Sequence, residues 1–267
     1  MSVATAVRPA ERVWDPSREA LRATFWLGVR ETRTVLRMPA FLLPNLIIPI
    51  FFFYVMVGSL QEFAARSGIT NWKGFQIPVS IMFAVMSGSA GLNMVNDIES
   101  GYFDKLLVTP ASRFSLLIGA MAADFLRIMA QGLIVASLAM ITGTTFVTGV
   151  TGMLVMIFMA SVFGIAYSGV GFAIALKTGN AQATQSLWAL FMPFMFLTTA
   201  FAPEEALSGW LATAATFNPM TYLLRGMRAL TMTGWVVSDI AVAFGTAALL
   251  GAVTMTLALL ALRGRVR

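Results

Sequence analysis

The chain has 267 residues, of which 58% are hydrophobic and 11% charged, against about 25% charged in soluble domains. So much apolar surface excludes a soluble globular fold. The absence of cysteine and histidine removes disulfides, thiolate nucleophiles, the usual transition-metal ligands and imidazole acid–base catalysis, so neither a catalytic residue nor a metal site is expected.

The first 39 residues form a polar arm carrying seven arginines, with no apolar core of the kind that makes a cleaved signal peptide. From Pro16 to Arg37 the residues Leu21, Phe25, Val29 and Leu36 recur at near-helical spacing opposite Arg18, Arg22, Arg30 and Arg33. Asp15 stands where it caps the start, and the pattern predicts an amphipathic helix on the membrane surface. Residues 40–262 then read as an all-α membrane domain of six transmembrane helices, over about 40–60, 78–95, 116–142, 153–176, 185–202 and 240–262, followed by a tail at 263–267. Span one is charge-free and contains Pro44 and Pro49; span two ends in the small-residue run Ser87-Gly88-Ser89-Ala90-Gly91. Span three must begin before Arg127, because the apolar residues after it number only ~15, too few to cross. It therefore carries Asp124 and Arg127, three apart and able to pair on one face. Ala160, Gly164 and Ser168 make a small-residue ridge for packing along span four.

The segment 203–238 is apolar enough for another crossing, but Asn218-Pro219 interrupts it. A seventh span would also put the arginines of the tail on the side opposite those of the arm. It is therefore expected to form short re-entrant helices in the outer leaflet. With six spans the arm, Lys105, Arg113, Arg127, Lys177 and the tail arginines share one side, leaving only Arg66, Lys73, Arg225 and Arg228 on the other. That bias predicts both termini in the cytoplasm. It also accounts for the net charge of +6 without a nucleic-acid partner.

The inner loop between spans two and three runs Asn96-Asp97-Ile98-Glu99-Ser100-Gly101-Tyr102-Phe103-Asp104-Lys105-Leu106-Leu107-Val108-Thr109-Pro110-Ala111-Ser112-Arg113. Asn96 with Glu99 is a capping-box variant and Pro110 a stop, so the spacing predicts a helix over 97–108 with Ile98, Tyr102 and Leu106 on one face. Such a helix suits either a groove on a cytoplasmic partner or the lipid surface.

The pattern Glu99-x-Gly101-x-x-Asp104-x-Leu106-Leu107-x-Thr109-Pro110-x-Ser112-Arg113 resembles the signature of type-2 ABC exporter membrane subunits, most closely the daunorubicin-resistance and multidrug branch. Asp104 stands where many members have Glu. The resemblance implies that this loop is a coupling helix, with Glu99, Gly101, Asp104, Leu106, Leu107, Thr109, Pro110 and Arg113 facing an ATP-binding subunit. The stretch Phe217-Asn218-Pro219-Met220-Thr221-Tyr222-Leu223-Leu224-Arg225-Gly226-Met227-Arg228 is similar to the family's outer re-entrant region. The resemblance gives Phe217, Asn218, Pro219, Arg225 and Arg228 the role of an outer gate. No Gly-x-x-x-x-Gly-Lys-[Ser/Thr] loop surrounds any of the three lysines, so the chain is not a P-loop ATPase by itself. The resemblance implies two copies of a separate ATP-binding cassette subunit that bind ATP and Mg, and a second permease half, a copy of this chain or a paralogue. It also implies a bacterial plasma (inner) membrane location.

The expected function is export of a hydrophobic or amphiphilic compound (drug, antibiotic or lipid). Export of a lipid-linked polysaccharide or other envelope component is the nearest alternative, and a non-transporting membrane scaffold is one of another class. Phe53 and Tyr54 of span one, with Phe191 and Met195 of span five, are candidates to line an apolar substrate path. The outer two thirds of spans one to five carry no acidic residue, which argues against an ion-driven transporter.

Overall fold

A computed structural model describes residues 29, 39–66, 69, 71–86, 91–107 and 113–265. Most of the expected arm helix, the run Ser87 to Ala90, and Thr109 and Pro110 of the loop motif lie outside the described residues.

The fold is all-helical, with no strand among the described residues. The helices are α1 (Pro39–Arg66), α2 (Trp72–Met86), α3 (Leu92–Glu99), α4 (Tyr102–Leu107), α5 (Arg113–Ile141) and α6 (Gly149–Thr178). After them come α7 (Ala181–Gln185), α8 (Leu187–Phe196), α9 (Gly209–Phe217), α10 (Pro219–Arg228) and α11 (Val237–Arg265). Among the described residues, four stretches, Asn45–Glu62, Leu117–Ile141, Gly149–Thr178 and Val237–Gly264, are long and apolar enough to cross a membrane. In hydrocarbon every backbone donor and acceptor must be paired internally, and a helix is the way a single segment does so. The other two expected spans are shorter: α2 has 15 residues and α8 has 10, about 22 and 15 Å of rise.

Helix α6 lies at the centre, against α5 on one side and α11 on another. Ala160 and Ser168 are buried. A Cβ on Gly164 would stand 2.3 Å from Ile128 Cδ1 and 3.0 Å from Val85 Cγ1. The small-residue ridge thus lets α2, α5 and α6 approach at backbone distance. Ala166 and Gly169 face Gly251 and Thr254 of α11, and the Thr254 hydroxyl donates to the Ala166 carbonyl at 2.6 Å. Further along, Ile174 and Lys177 share a groove with Leu257 and Gly264, so α6 and α11 run parallel. The chain between them must return from one end of the bundle to the other. It does so through α7 and α8: the Tyr167 hydroxyl donates to the Leu187 carbonyl at 3.0 Å, and Arg228 reaches Thr199 and Ala200.

The bundle therefore has two distinct ends. At the cap end the Lys73 ammonium donates to the Thr142 carbonyl at 2.7 Å, and the Thr148 hydroxyl donates to the Leu230 carbonyl at 2.6 Å. At the loop end α3 and α4 pack beneath α5, α6 and α11. In the interior, Arg127 and Asp124 pair at 3.0 Å.

The single helix expected over 97–108 is two. Gly101 takes φ 68, and Ser100 and Gly101 donate their N–H groups to the carbonyls of Asn96 and Ile98, a glycine-terminated helix end. Asn96 accordingly sits inside α3, whose N-cap is Gly91, and the expected capping box does not form.

Candidate functional site

Two places combine built geometry with functional promise, one at each end of the bundle. At the loop end, Phe103 is 2% exposed and joins Val95 of α3, Leu117 of α5, Phe172 and Leu176 of α6 and Leu262 of α11 in one cluster. Its burial keys the short α4 into three long helices at once. Gly91, at φ 83, tightens the junction: a Cβ there would stand 2.5 Å from the Gly171 carbonyl oxygen, so no other residue fits. Glu99, Ser100 and Lys105 are exposed on this anchored loop, and Gly101 supplies the turn between its helices. Asp104, Leu106, Leu107 and Arg113 lie within or just after α4, at the start of α5 in the case of Arg113. An anchored apolar root with an exposed polar face is what a motion-transmitting contact needs.

At the cap end, Asn218 separates α9 from α10 and does two jobs. Its Oδ1 accepts from the Met220 N–H at 3.0 Å, capping α10 ahead of Pro219. Its Nδ2 donates to the Phe194 and Leu197 carbonyls at 2.7 and 3.0 Å, which the end of α8 leaves without helical donors. Arg228, at the end of α10, donates to the Phe75 carbonyl (3.3 Å), the Thr199 hydroxyl (3.0 Å) and the Ala200 carbonyl (3.3 Å). Its guanidinium also lies 3.4 Å from the centroid of the Phe75 ring. Burial pushes its pKa below the ordinary arginine value. Three acceptors and a ring face stabilise the cation with no carboxylate at ion-pairing distance among the described residues.

Arg225, by contrast, pairs with exposed Glu204. Arg225 and Arg228 help line a cavity of about 460 Å³ with Phe75, Thr199 and Glu205. Phe217, Trp210 and Trp235 are exposed around this end, as interfacial aromatics are.

Sequence reading missed how the cap is locked to α2. Pro78, inside α2, has no N–H for the Gly74 carbonyl four residues back. The Thr231 hydroxyl, from the π-helical turn Ala229–Thr233, lies 2.9 Å from that carbonyl and 3.1 Å from the Arg228 carbonyl. The proline was visible in the sequence; the donor, 157 residues after Gly74, was not. Gly226 completes the joint, since a Cβ there would stand 2.9 Å from the Asp239 carbonyl oxygen of α11.

The residues expected to line a substrate path differ in exposure. Phe53, Phe191 and Met195 are buried in the core, Phe191 against the Tyr167 ring at 5.5 Å, whereas Tyr54 is exposed. Among the described residues no group of three or more acidic side chains is placed to hold a metal ion.

A loop anchored at one end and a hydrogen-bonded cap at the other, joined by long apolar helices, define a multi-pass membrane protein. The ABC-2 type transporter family model matches residues 22–232, and the chain belongs to that family. It is 24% identical over 197 residues to the probable doxorubicin resistance ABC transporter permease protein DrrC of Mycobacterium tuberculosis, covering 72% of this chain and 71% of the relative. It is 25% identical over 212 residues to the putative transport permease ycf38 of Cyanophora paradoxa, covering 76% and 72%. It is also 24% identical over 186 residues to the daunorubicin resistance ABC transporter permease protein DrrB1 of Streptomyces coeruleorubidus, covering 69% and 65%. The chain is thus the membrane subunit of a type-2 ABC exporter, and membership implies an ATP-binding partner subunit.

Proposed function

We propose that this subunit exports an amphiphilic drug or antibiotic, driven by two copies of a separate ATP-binding cassette subunit that hold the ATP and Mg. A second permease half, a copy of this chain or a paralogue, completes the transporter. The observation that carries the reading is the anchored loop. Phe103 ties it to α5, α6 and α11, so a push on exposed Glu99 or Lys105 is delivered to helices that reach the opposite end. Glu99, Gly101, Asp104, Leu106, Leu107, Thr109, Pro110 and Arg113 form the coupling surface in this reading. Phe217, Asn218, Pro219, Arg225 and Arg228 form the outer gate.

Six crossings, with both termini on the cytoplasmic side of a bacterial inner membrane, fit the parallel course of α6 and α11. One return through α7 and α8 suffices, and α9 and α10 then stay on the outer side, where the sparse cations Arg66, Lys73, Arg225 and Arg228 fall. Tyr54, exposed on α1, is the member of the aromatic set open to a lipid-soluble substrate, whereas Phe53, Phe191 and Met195 are buried in the core.

The test is doxorubicin accumulation in cells expressing the chain with its ATPase partner. Lower accumulation than in cells without the pair, abolished by Leu107→Asp while the protein remains inserted, is the expected result. Equal accumulation with the native pair overturns the drug assignment, and unchanged export by Leu107→Asp overturns the coupling surface.

A further inference from the structure

Between the loop-end halves of α6 and α11 lies a groove of about 750 Å³, within the range that holds a small ligand. Its walls are Val170, Ala173 and Ile174 on α6 and Leu257, Leu260 and Ala261 on α11. The lining extends over residues 170–178 and 257–264, about 12 Å along the parallel helices. The mouth differs in character from the walls. Lys177 lines it, and Gly264 leaves it open, with nothing within 4 Å of the position of a Cβ. Arg263 stands next to Gly264 on the last turns of α11. Both cations are exposed, and neither has an ion pair or a hydrogen bond among the described residues.

Buried Arg127, by contrast, has its carboxylate, and Arg225 on the cap has Glu204. Lys177 thus places a free positive charge at the mouth of an apolar slot, and Arg263, next in sequence to the lining residue Gly264, places a second beside it. Both also sit on the final turns of helices whose C-terminal dipoles they complement.

We propose that this groove binds one anionic phospholipid, an acyl chain lying between α6 and α11 and the phosphate held by Lys177 and Arg263. Charge complementarity selects the occupant. An exported amphiphilic cation would meet two like charges at the entrance, and a zwitterionic lipid would bring its own cation to them. An anionic headgroup satisfies both residues while the hydrocarbon covers the walls. In the topology given under the proposed function this mouth faces the cytoplasmic leaflet; the binding itself does not rest on that topology.

The proposal is tested by photo-crosslinking on the full chain reconstituted in phosphatidylcholine vesicles. The vesicles contain a minor fraction of either phosphatidylglycerol or phosphatidylcholine bearing a diazirine on one acyl chain. The probe occupies both leaflets, so the outcome does not depend on which end of the bundle faces the cytoplasm, nor on transport. Labelling of peptides containing residues 170–178 and 257–264 should favour phosphatidylglycerol, on the order of tenfold for two cations. The Lys177→Gln/Arg263→Gln pair should abolish the preference, and Ala173→Trp, which fills the slot, should reduce labelling there without changing it on α1. Equal labelling by the two headgroups, or a phosphatidylglycerol preference that survives charge removal, overturns the proposal.

Discussion

Arg127 holds one guanidinium nitrogen 3.0 Å from Asp124 Oδ1, with the two side chains only 3% and 10% exposed. The pair lies inside a helix expected to cross the membrane. Its spacing of one helical turn sets the geometry, and burial sets the energetic stakes. Removing one partner strands a charge, so Asp124→Leu or Arg127→Leu alone should destabilise the protein by about 3–5 kcal/mol. The double substitution should cost less than either single one, because no buried charge remains. Thermal denaturation in detergent, followed by loss of the monodisperse peak, checks the order. A double variant less stable than both singles would refute it.

Asn218 offers a separation of its two roles. Asn218→Ala loses the α10 cap and both donors to α8, for about 2 kcal/mol or more. Asn218→Asp keeps a capping oxygen but sets a carboxylate against the Phe194 and Leu197 carbonyls. Aspartate should therefore be no better than alanine, although it is as good an N-cap as asparagine. Stability equal to the native protein in Asn218→Asp would show that capping alone matters.

The partnership of Thr231 with Gly74 makes a conditional forecast. Thr231→Val keeps the shape and deletes the donor, costing about 1–2 kcal/mol. In a Pro78→Ala background α2 regains its own N–H for that carbonyl, and the same change should cost measurably less. Equal costs in both backgrounds would remove the proline from the explanation.

Two glycines should respond in opposite ways to alanine. At Gly169 a Cβ would stand 2.8 Å from Thr254 Cβ and 3.1 Å from its backbone carbon, so Gly169→Ala should cost about 1–3 kcal/mol by forcing α6 from α11. Gly245 on α11 has nothing within 4 Å, and Gly245→Ala should be neutral or stabilising by up to about 1 kcal/mol. Melting temperatures of the two variants decide it.

The absence of cysteine makes topology directly measurable. Single cysteines replacing Glu204 and Trp235, both exposed, should react with a membrane-impermeant maleimide from the outside. One replacing exposed Gln182 should react only after the membrane is opened. Opposite accessibility for Glu204 and Trp235 would require another crossing between them.

Much of the helical framework was legible because lipid imposes simple demands. Charge-free runs of sufficient length reach α1, α6 and α11, and the shortage of apolar residues after Arg127 placed the pair of Asp124 and Arg127 within α5. The ridge of Ala160, Gly164 and Ser168 was likewise readable as packing. The break at Gly101 was missed, although its signal was present: a glycine after Glu99-Ser100 is a helix terminator in the left-handed region, and periodicity alone passed over it. The start of α2 at Trp72 was missed too, because Lys73 and Gln76 look polar until their partners and burial are known. Nothing local announces that Phe103 anchors the loop, or that Arg228 spends its charge on carbonyls and a ring. Those facts depend on which distant helices arrive.

The dependence of Gly74 on Thr231 has a consequence for the order in which the protein is made. Thr231 lies 157 residues after Gly74, so α2 leaves the ribosome well before its partner is made. Through most of synthesis the helix therefore carries an orphan carbonyl that its own proline created and that only water, lipid headgroup or a transient neighbour can satisfy. The cap is the latch that ends this interval. Early insertion and late consolidation are thus built into one residue pair, and a nascent chain stalled before Thr231 would remain an inserted but unfinished bundle.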